Sequence, residues 1–221
     1  MPSFWSPLRS GVAASVEHAR VPFDPGLRTI LDVGASRGQF ALLAMQRFPR
    51  ARVLCFEPLP QAQETLIAVT RGRAEVHQVA LGLRAERRAF VVSALDDSSS
   101  LLPIAQRYID EYPGTEPEGS MEVGVTTLAD FLHEDLPGPR LLKLDVQGTE
   151  LEVLRGAGAS LRLIDEVFVE CSFVELYIGQ AYADDVVCFL RDAGLRLVGV
   201  HGLSSSADNA TLQADLHFRR E

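Results

Sequence analysis

The stretch TILDVGASRGQF, Thr29–Phe40, decides the fold, because an apolar run ends there in a turn with two glycines. Residues 29–34 have the pattern of a short buried strand, and the periodicity from Gln39 to about Phe48 predicts a helix that Pro49 ends. A strand, a glycine-bearing turn and a helix in this order form the first unit of a sheet covered by helices. The open question is what the turn holds.

The rest of the chain repeats this alternation. Further strands are predicted at residues 52–58, 74–82, 140–148 and 165–173, with helices between several of them. Such alternation favours a mostly parallel sheet with helices on both faces. The last two apolar runs, LRLVGVHG and TLQADLHFRR, have no helical pattern between them and predict an antiparallel hairpin at or near one edge. A sheet of this kind binds its ligand outside the carboxyl ends of its strands.

Length and composition indicate one domain. The chain has 221 residues, 47% of them apolar, with a mean hydropathy of +0.08, so it can bury a sizeable core. We predict a single domain over residues 29–221, preceded by an N-terminal extension, 1–28, that is a candidate lid or docking segment. Residues 103–120, rich in proline and glycine, are predicted to form a loop insertion, which is also a candidate oligomer interface.

Charge and hydropathy exclude several classes of partner. The net charge of −9 argues against a nucleic-acid backbone, which needs a basic surface. No apolar run reaches the roughly 20 residues of a membrane span, and the N-terminus lacks the pattern of a signal peptide. We therefore expect a cytoplasmic protein. Cys55, Cys171 and Cys188 lie in apolar runs and are predicted to be reduced, buried thiols.

The turn after the first strand does not fit a nucleotide phosphate. A dinucleotide fingerprint would need glycines where Ser36 and Gln39 stand, and no lysine follows Gly38 as a phosphate loop would require. Asp32 would repel a pyrophosphate but would attract a cation. S-adenosylmethionine, which carries an ammonium and a sulfonium and no phosphate, meets these needs. The alternative is a capped turn in which Asp32 is solvated.

Two more strand ends suit an adenosyl ligand. Glu57 ends the second strand and could hold a ribose diol through charge-assisted hydrogen bonds. Enzymes that bind NAD share this feature. Glu57 therefore favours S-adenosylmethionine over NAD only together with the preceding loop. Ala80 and Leu81 end the third strand and offer small apolar surface to an adenine ring.

Acidic residues also interrupt two otherwise apolar strands. Asp145 ends the strand RLLKLDVQG, which also contains Lys143, and Glu170 interrupts DEVFVECSF. A buried unpaired carboxylate is costly, so each indicates a partner or a catalytic task. Both are candidate general bases, and His201 is a third. The alternatives are that Asp145 caps the next helix, that His201 has a structural role, and that a divalent metal bound by the carboxylates acidifies the acceptor.

These blocks together resemble the FkbM-type family of S-adenosylmethionine-dependent methyltransferases. The resemblance rests on ILDVGASRGQFAL, CFEPLP, VALG, DDSSSL, LLKLDVQGTELEVLRGA and VFVECSFVELYIGQ, and it covers about residues 28–218. It implies an α/β class I methyltransferase fold, a Rossmann-like three-layer sandwich with a mostly parallel seven-stranded sheet. It also implies methylation of a hydroxyl on a sugar or natural product. Gln147 departs from the glutamate that is commoner at this position of the family, which weakens any mechanism that needs a carboxylate there.

The residues and the resemblance together define a predicted site. The predicted catalytic residues are Asp145, Glu170 and His201. The predicted S-adenosylmethionine contacts are Asp32, Gly34, Ala35, Ser36, Gly38, Phe40, Glu57, Pro58, Ala80, Leu81 and Asp145, and the predicted acceptor contacts are Ser98, Ser99, Ser100, Gln147 and Tyr177. The expected partner is a small glycan or secondary-metabolite hydroxyl. Two rival functions stay open: a module that binds the cofactor without turnover, and a nicotinamide-dependent oxidoreductase.

Overall fold

The computed structural model describes residues 11–221, with the exception of the side chain of Asp96, so part of the predicted 1–28 extension lies outside it. The strands of this region are β1 Thr29–Val33, β2 Arg52–Phe56, β3 Glu75–His77, β4 Ala80–Gly82, β5 Glu86–Ser93, β6 Pro117–Thr127, β7 Arg140–Leu144, β8 Glu166–Ser172, β9 Leu195–Ser205 and β10 Thr211–Arg220. The α-helices are α1 Gln39–Arg47, α2 Pro60–Thr70, α3 Gln106–Glu111, α4 Glu150–Gly156 and α5 Ala183–Asp192. Single 3₁₀ turns cover Val16–Arg20, Asp96–Ser98, Leu128–Asp130 and Gly158–Leu163.

Seven of these strands form the main sheet, in the order β3-β2-β1-β7-β8-β10-β9. The pairs from β3 to β8 are parallel, whereas β10 runs antiparallel to both β8 and β9. The predicted parallel sheet with a C-terminal antiparallel hairpin is therefore confirmed. From β1 the chain proceeds to β2 and β3 on one side and later to β7 and β8 on the other, so the strand order reverses between β1 and β7. Ligands of such sheets bind at this reversal.

The central strands are buried on both faces, which gives the sandwich three layers. In β1, Ile30 packs into a cluster with the apolar side chains of α1, whereas its neighbour Leu31 packs into a second cluster that includes Val153 of α4 and Val186 of α5. Successive side chains of a strand point to opposite faces, so continuous apolar runs are required here. This explains why the strand runs near residues 29–33 and 140–144 lack polar alternation.

The predicted third strand, 74–82, is wrong as a single element. Its first part is β3, which pairs with β2 in the main sheet, whereas its second part is β4, which pairs with β6 in a separate three-stranded sheet of order β4-β6-β5. The chain changes sheets at residues 78–79, which belong to neither strand. Val76 and Val79 are partly buried on either side of Gln78 and β4 is fully buried, so periodicity alone does not reveal the change.

Three smaller predictions also differ from the structure. Residues 103–120, predicted as a loop insertion, contain α3 and the first residues of β6, and Tyr108 anchors α3 by burying its ring. The stretch LADFLHED, residues 128–135, has a pattern typical of a short helix but forms only the 3₁₀ turn at 128–130. Cys55 and Cys171 are buried as expected, but Cys188 is exposed, because α5 buries Val186 and Leu190 on its other face.

Candidate active site

A cavity of about 370 Å³ opens at the carboxyl ends of β1, β2 and β7 and extends over β8 and β10. It therefore lies at the reversal of strand order, where this class of sheet binds ligands. Twelve of the predicted site residues line it: Gly34, Ala35, Ser36, Phe40, Glu57, Pro58, Ala80, Leu81, Ser99, Asp145, Gln147 and Glu170. Six others, which are placed below, do not line it: Asp32, Gly38, Ser98, Ser100, Tyr177 and His201.

The turn after β1 forms one wall of the cavity through its backbone. Gly34 has a φ of 75°, and a Cβ at this position would overlap the carbonyl oxygen of Asp145. Only glycine lets the loops after β1 and β7 approach so closely. Gly38, with a φ of 97°, lies away from the cavity, and a Cβ there would press on Leu66 of α2. Gly38 therefore serves packing, which corrects its predicted contact with the cofactor.

Glu57 is held in place by backbone amides. The N–H of Ser36 donates to Oε2 of Glu57 at 2.9 Å, and the N–H of Leu59 donates to Oε1 at 2.8 Å. The carboxylate is almost fully buried yet lines the cavity. These two hydrogen bonds fix the carboxylate in the wall of the cavity, where a ligand can reach it. Glu57 also ties the turn after β1 to the end of β2.

Asp32 lies beneath the cavity rather than in its lining. Its side chain is fully buried, and its Oδ1 is 3.2 Å from Nζ of Lys143 on the neighbouring strand β7. The prediction that Asp32 faces a ligand cation therefore needs correction, because the cation beside it belongs to the chain itself. Burial raises the pKa of Asp32, and Lys143 opposes this effect. Asp32 and Lys143 are an internal ion pair.

Lys143 connects this ion pair to the cavity, which it lines. Its Nζ donates to the carbonyl oxygen of Gly34 at 3.0 Å and lies 3.6 Å from Oδ2 of Asp145. Burial alone would lower the pKa of Lys143, but Asp32 and Asp145 outweigh it and hold the pKa above its ordinary value. The ammonium is thus charged. Sequence reasoning noticed Lys143 without assigning it to the site, although it is the only lysine in the chain and lies inside an apolar strand.

Glu170 lies farther along the sheet, beside neutral partners. Nε2 of Gln147 donates to its Oε2 at 3.2 Å, and Nε2 of Gln213 donates to the same oxygen at 2.8 Å. Burial, and then the charges of Asp145 and Asp215, raise its pKa well above the usual range of a glutamate. Nζ of Lys143 is 3.6 Å from Asp145, whereas these hydrogen bonds of Glu170 come from two neutral amides, so the two predicted catalytic carboxylates are in different electrostatic environments.

The loop between β7 and α4 is held by an acidic side chain of its own. Oε1 of Glu150 accepts hydrogen bonds from the N–H groups of Val146 and Gly148, both at 3.1 Å. Burial raises the pKa of Glu150 to about 7. Thr149, the residue before the helix, makes no side-chain cap bond, so Glu150 takes over the task of satisfying the loop amides.

The N-terminal segment contributes residues that sequence reasoning missed. Ser15, Glu17 and His18 line the cavity, and Nε2 of His18 lies 3.0 Å from Oδ2 of Asp215 on β10. The imidazole also packs edge-on against Phe168, with ring centroids 5.0 Å apart. No sequence motif links His18 to Asp215, because 197 positions separate them.

The predicted acceptor residues fall into two groups. Ser99 and Gln147 line the cavity, but Ser98, Ser100 and Tyr177 lie behind it. The Tyr177 hydroxyl lies 2.9 Å from the carbonyl oxygen of Ser98 and 2.7 Å from Oε1 of Gln147, and it shares its single proton between these two acceptors. The Ser100 hydroxyl donates to the carbonyl oxygen of Gln147 at 2.6 Å. These three residues therefore support the lining residues, which corrects their predicted contact with the acceptor.

His201 does not belong to the lining of the cavity. It lies on β9 opposite Asp215, half-buried, with its ring near Phe168 and His217. Burial and the neighbouring His217 lower its pKa. Its predicted role as a base therefore gains no support from its position.

Two further findings concern the described region only. Within residues 11–221, no group of three histidine, cysteine, aspartate or glutamate side chains has the arrangement of a metal site. The helices of this region also lack the length and hydropathy that crossing a bilayer requires.

The seven-stranded sheet, its C-terminal hairpin and the cavity at the strand reversal define the class I, Rossmann-like methyltransferase fold. The solved structure of methyltransferase FkbM from Methylobacillus flagellatus KT has this fold, with a TM-score of 0.55 at 16% identity over 96% of this chain and 50% of that one. The family model described as the methyltransferase FkbM domain matches residues 32–197. The chain belongs to the FkbM methyltransferase domain family.

Two curated relatives are similar over a large part of the sequence. The chain is 32% identical to the 2-O-methyltransferase NoeI of Sinorhizobium fredii over 162 residues, which are 68% of this chain and 66% of NoeI. It is 32% identical to the hexuronic acid methyltransferase AglP of Haloferax volcanii over 142 residues, 63% of this chain and 54% of AglP. The matches thus span between about half and two thirds of these relatives.

Proposed function

We propose that the protein transfers a methyl group from S-adenosylmethionine to a hydroxyl oxygen of a small, sugar-like acceptor. The observation that carries the proposal is the single cavity that joins the turn after β1 and Glu57 to the carboxylates Asp145 and Glu170. Family membership supports methyl transfer. The names of NoeI and AglP, an O-methyltransferase and a hexuronic acid methyltransferase, support oxygen and a sugar as the acceptor.

The residues present fit the cofactor. Glu57 presents a carboxylate, held by backbone amides, to the cavity, and a carboxylate suits the two hydroxyls of a ribose. Ala80, Leu81 and Pro58 offer apolar surface to an adenine ring beside it. Asp145 supplies a negative charge for the ammonium group, and Lys143 a positive one for the carboxylate. We call this part of the cavity, lined by 33–36, 56–58, 79–81 and Lys143, the cofactor half.

The other part, which we call the acceptor half, is lined by His18, Gln147, Glu170 and Asp215, and Asp145 stands between the halves. When bound, S-adenosylmethionine supplies an electrophilic methyl group. The chain contributes orientation and proton transfer, since a neutral hydroxyl is a poor nucleophile. A carboxylate oxygen of Asp145 or Glu170 takes the hydroxyl proton and becomes a carboxylic acid. Phe40 and Leu101 line the cavity with apolar surface that excludes water.

The charges of the acceptor half favour a neutral acceptor. Glu170 and Asp215 line it, Asp145 stands at its border, Glu17 lines the cavity next to His18, and His18 is the basic side chain among the described residues there. A carboxylated acceptor would meet like charges in a poorly solvated site, which is costly. We therefore propose a neutral sugar hydroxyl, in contrast to the hexuronic acid named for AglP.

A panel of acceptors tests this function through release of S-adenosylhomocysteine. The panel contains neutral methyl hexopyranosides and, as a matched pair, methyl glucoside and methyl glucuronide, which differ by one carboxylate. We expect turnover with neutral sugars and a kcat/KM at least about tenfold lower for the glucuronide. Binding of S-adenosylmethionine without any release above the acceptor-free rate would contradict the proposed transfer. A preference for the glucuronide would leave the proposed methyl transfer standing and would contradict only the proposed selectivity for a neutral acceptor.

A further inference from the structure

Gln147 has an unusual backbone for a residue with a side chain. Its φ is 57°, in the left-handed region that favours glycine, and the next residue, Gly148, has a φ of 103°. The Gln147 side chain is nevertheless 8% exposed. A buried glutamine in a strained loop position indicates that its contacts hold it there.

Those contacts are made by both ends of the carboxamide. Nε2 donates to Oδ1 of Asp145 at 2.6 Å and to Oε2 of Glu170 at 3.2 Å. Oε1 accepts from the hydroxyl of Tyr177 at 2.7 Å. An ionised carboxylate can only accept hydrogen bonds, so the amide nitrogen must face Asp145 and Glu170 and the amide oxygen must face Tyr177. The orientation of Gln147 is therefore determined by its partners.

We infer that Gln147 is a positioning residue, which bridges Asp145 and Glu170 with a neutral donor and thereby sets the pH range in which Glu170 accepts the proton of the acceptor. This inference rests on the proposed function. In the proton step the O–H bond breaks, its electron pair stays on the acceptor oxygen, and the proton forms a bond to a carboxylate oxygen. The carboxylate must be ionised beforehand, so turnover rises with pH through its titration.

The surroundings of Glu170 explain why a neutral residue matters at position 147. Asp145 and Lys143 face it from β7 and the following loop, Asp215 from β10 and Glu150 from α4. Three of these four are acids, and together with burial they raise the pKa of Glu170. The amides of Gln147 and Gln213 donate to its ionised form and oppose this rise. A glutamate at position 147 would turn a donor into another acid and would raise the pKa further.

The first experiment compares Gln147→Glu with the unchanged protein in kcat between pH 5 and 10, using the best acceptor of the panel. We expect the rising limb of the profile to move up by about one pH unit or more. At a fixed pH on the rising limb, this shift lowers kcat about tenfold or more, and the lost turnover is recovered at higher pH. The affinity for S-adenosylhomocysteine should change less than about threefold. Gln61→Glu, on the exposed start of α2, is the matched control.

The second measurement needs no acceptor: the free energy of unfolding as a function of pH, without ligand. Because the folded-state pKa of Glu170 is raised, its contribution to stability is present below the pKa of an unfolded glutamate and is lost as pH rises through the folded value. In Gln147→Glu this loss should extend to higher pH. Tyr177→Phe, which keeps the amide but removes the donor that orients it, should shift both profiles in the same direction by a smaller amount.

Each outcome decides the inference. Profiles of Gln147→Glu that superpose on those of the unchanged protein would overturn it. A uniform loss of turnover and stability at every pH would also overturn it, since it would indicate a structural role only. If no acceptor is turned over by any form, the proposed function fails, and the pH dependence of unfolding alone then decides whether Gln147 controls the carboxylates.

Discussion

The two halves of the cavity are built by different means. The cofactor half consists largely of short contiguous segments, residues 33–36, 56–58 and 79–81. The acceptor half joins side chains that are far apart along the chain, such as His18 with Asp215. A ligand common to a whole family can be held by local motifs, whereas a particular acceptor requires side chains that long-range folding brings together. The halves should therefore respond differently to substitution.

The largest effect is expected at Asp145, which stands between the halves. Asp145→Asn keeps the shape of the side chain but removes the charge that accepts a proton. We expect kcat to fall about 10²–10⁴-fold, with a much smaller change in the affinity for S-adenosylhomocysteine. Steady-state kinetics and calorimetry measure the two quantities. Asp192→Asn, exposed at the end of α5, is the control. Full turnover in Asp145→Asn would remove this residue from the proton step.

The next effect concerns the ion pair below the cofactor half. Lys143→Met leaves the fully buried carboxylate of Asp32 without its cation. Breaking a buried pair on one side costs about 3–5 kcal/mol, and we expect a loss of this size in the free energy of unfolding measured with denaturant. Arg73→Met, at an exposed position after α2, should change it by less than about 0.5 kcal/mol.

A double variant sharpens this test. Adding Asp32→Asn to Lys143→Met removes the uncompensated charge, so the double variant should recover part of the free energy of unfolding that Lys143→Met loses. If the double variant instead loses as much free energy of unfolding as the two single variants together, Asp32 and Lys143 do not act as a pair. Our assignment of an ion pair that supports the turn after β1 would then be wrong.

The contrast between the halves also explains what could be predicted from the sequence. Strand ends with a glycine turn or an acid, such as Gly34 and Glu57, are local features that the sequence shows, and both residues line the cavity. The cation that Asp32 faces could not be predicted, because it comes from the parallel neighbour β7, and pairing between residues 111 positions apart has no local signal. The contributions of His18 and Asp215 were missed for the same reason.

The change of sheet within residues 74–82 was hidden for a different physical reason. Apolar residues recur from Val76 through Val79 into β4, although β3 and the link are at most half-buried and Gln78 is exposed. Periodicity reports burial and not the identity of the partner strand. The position of Tyr177 was likewise predicted near the site, but only the structure distinguishes a side chain that lines the cavity from one that orients Gln147 behind it.

The smallest of the three effects belongs to the cofactor half. Glu57→Gln keeps one acceptor oxygen but replaces the other with an amide that cannot accept from a backbone N–H or a ribose hydroxyl. A hydrogen bond to a charged group contributes about 1.5–3 kcal/mol, so we expect the affinity for S-adenosylhomocysteine to fall roughly 10–100-fold. At saturating cofactor, kcat should fall less than about threefold, the reverse of the pattern at Asp145.

Calorimetry measures the affinity, and Glu64→Gln, at an exposed position on α2, is the control. An unchanged affinity would mean that Glu57 only braces Ser36 and Leu59, and the assignment of the cofactor to this half would lose its main polar contact.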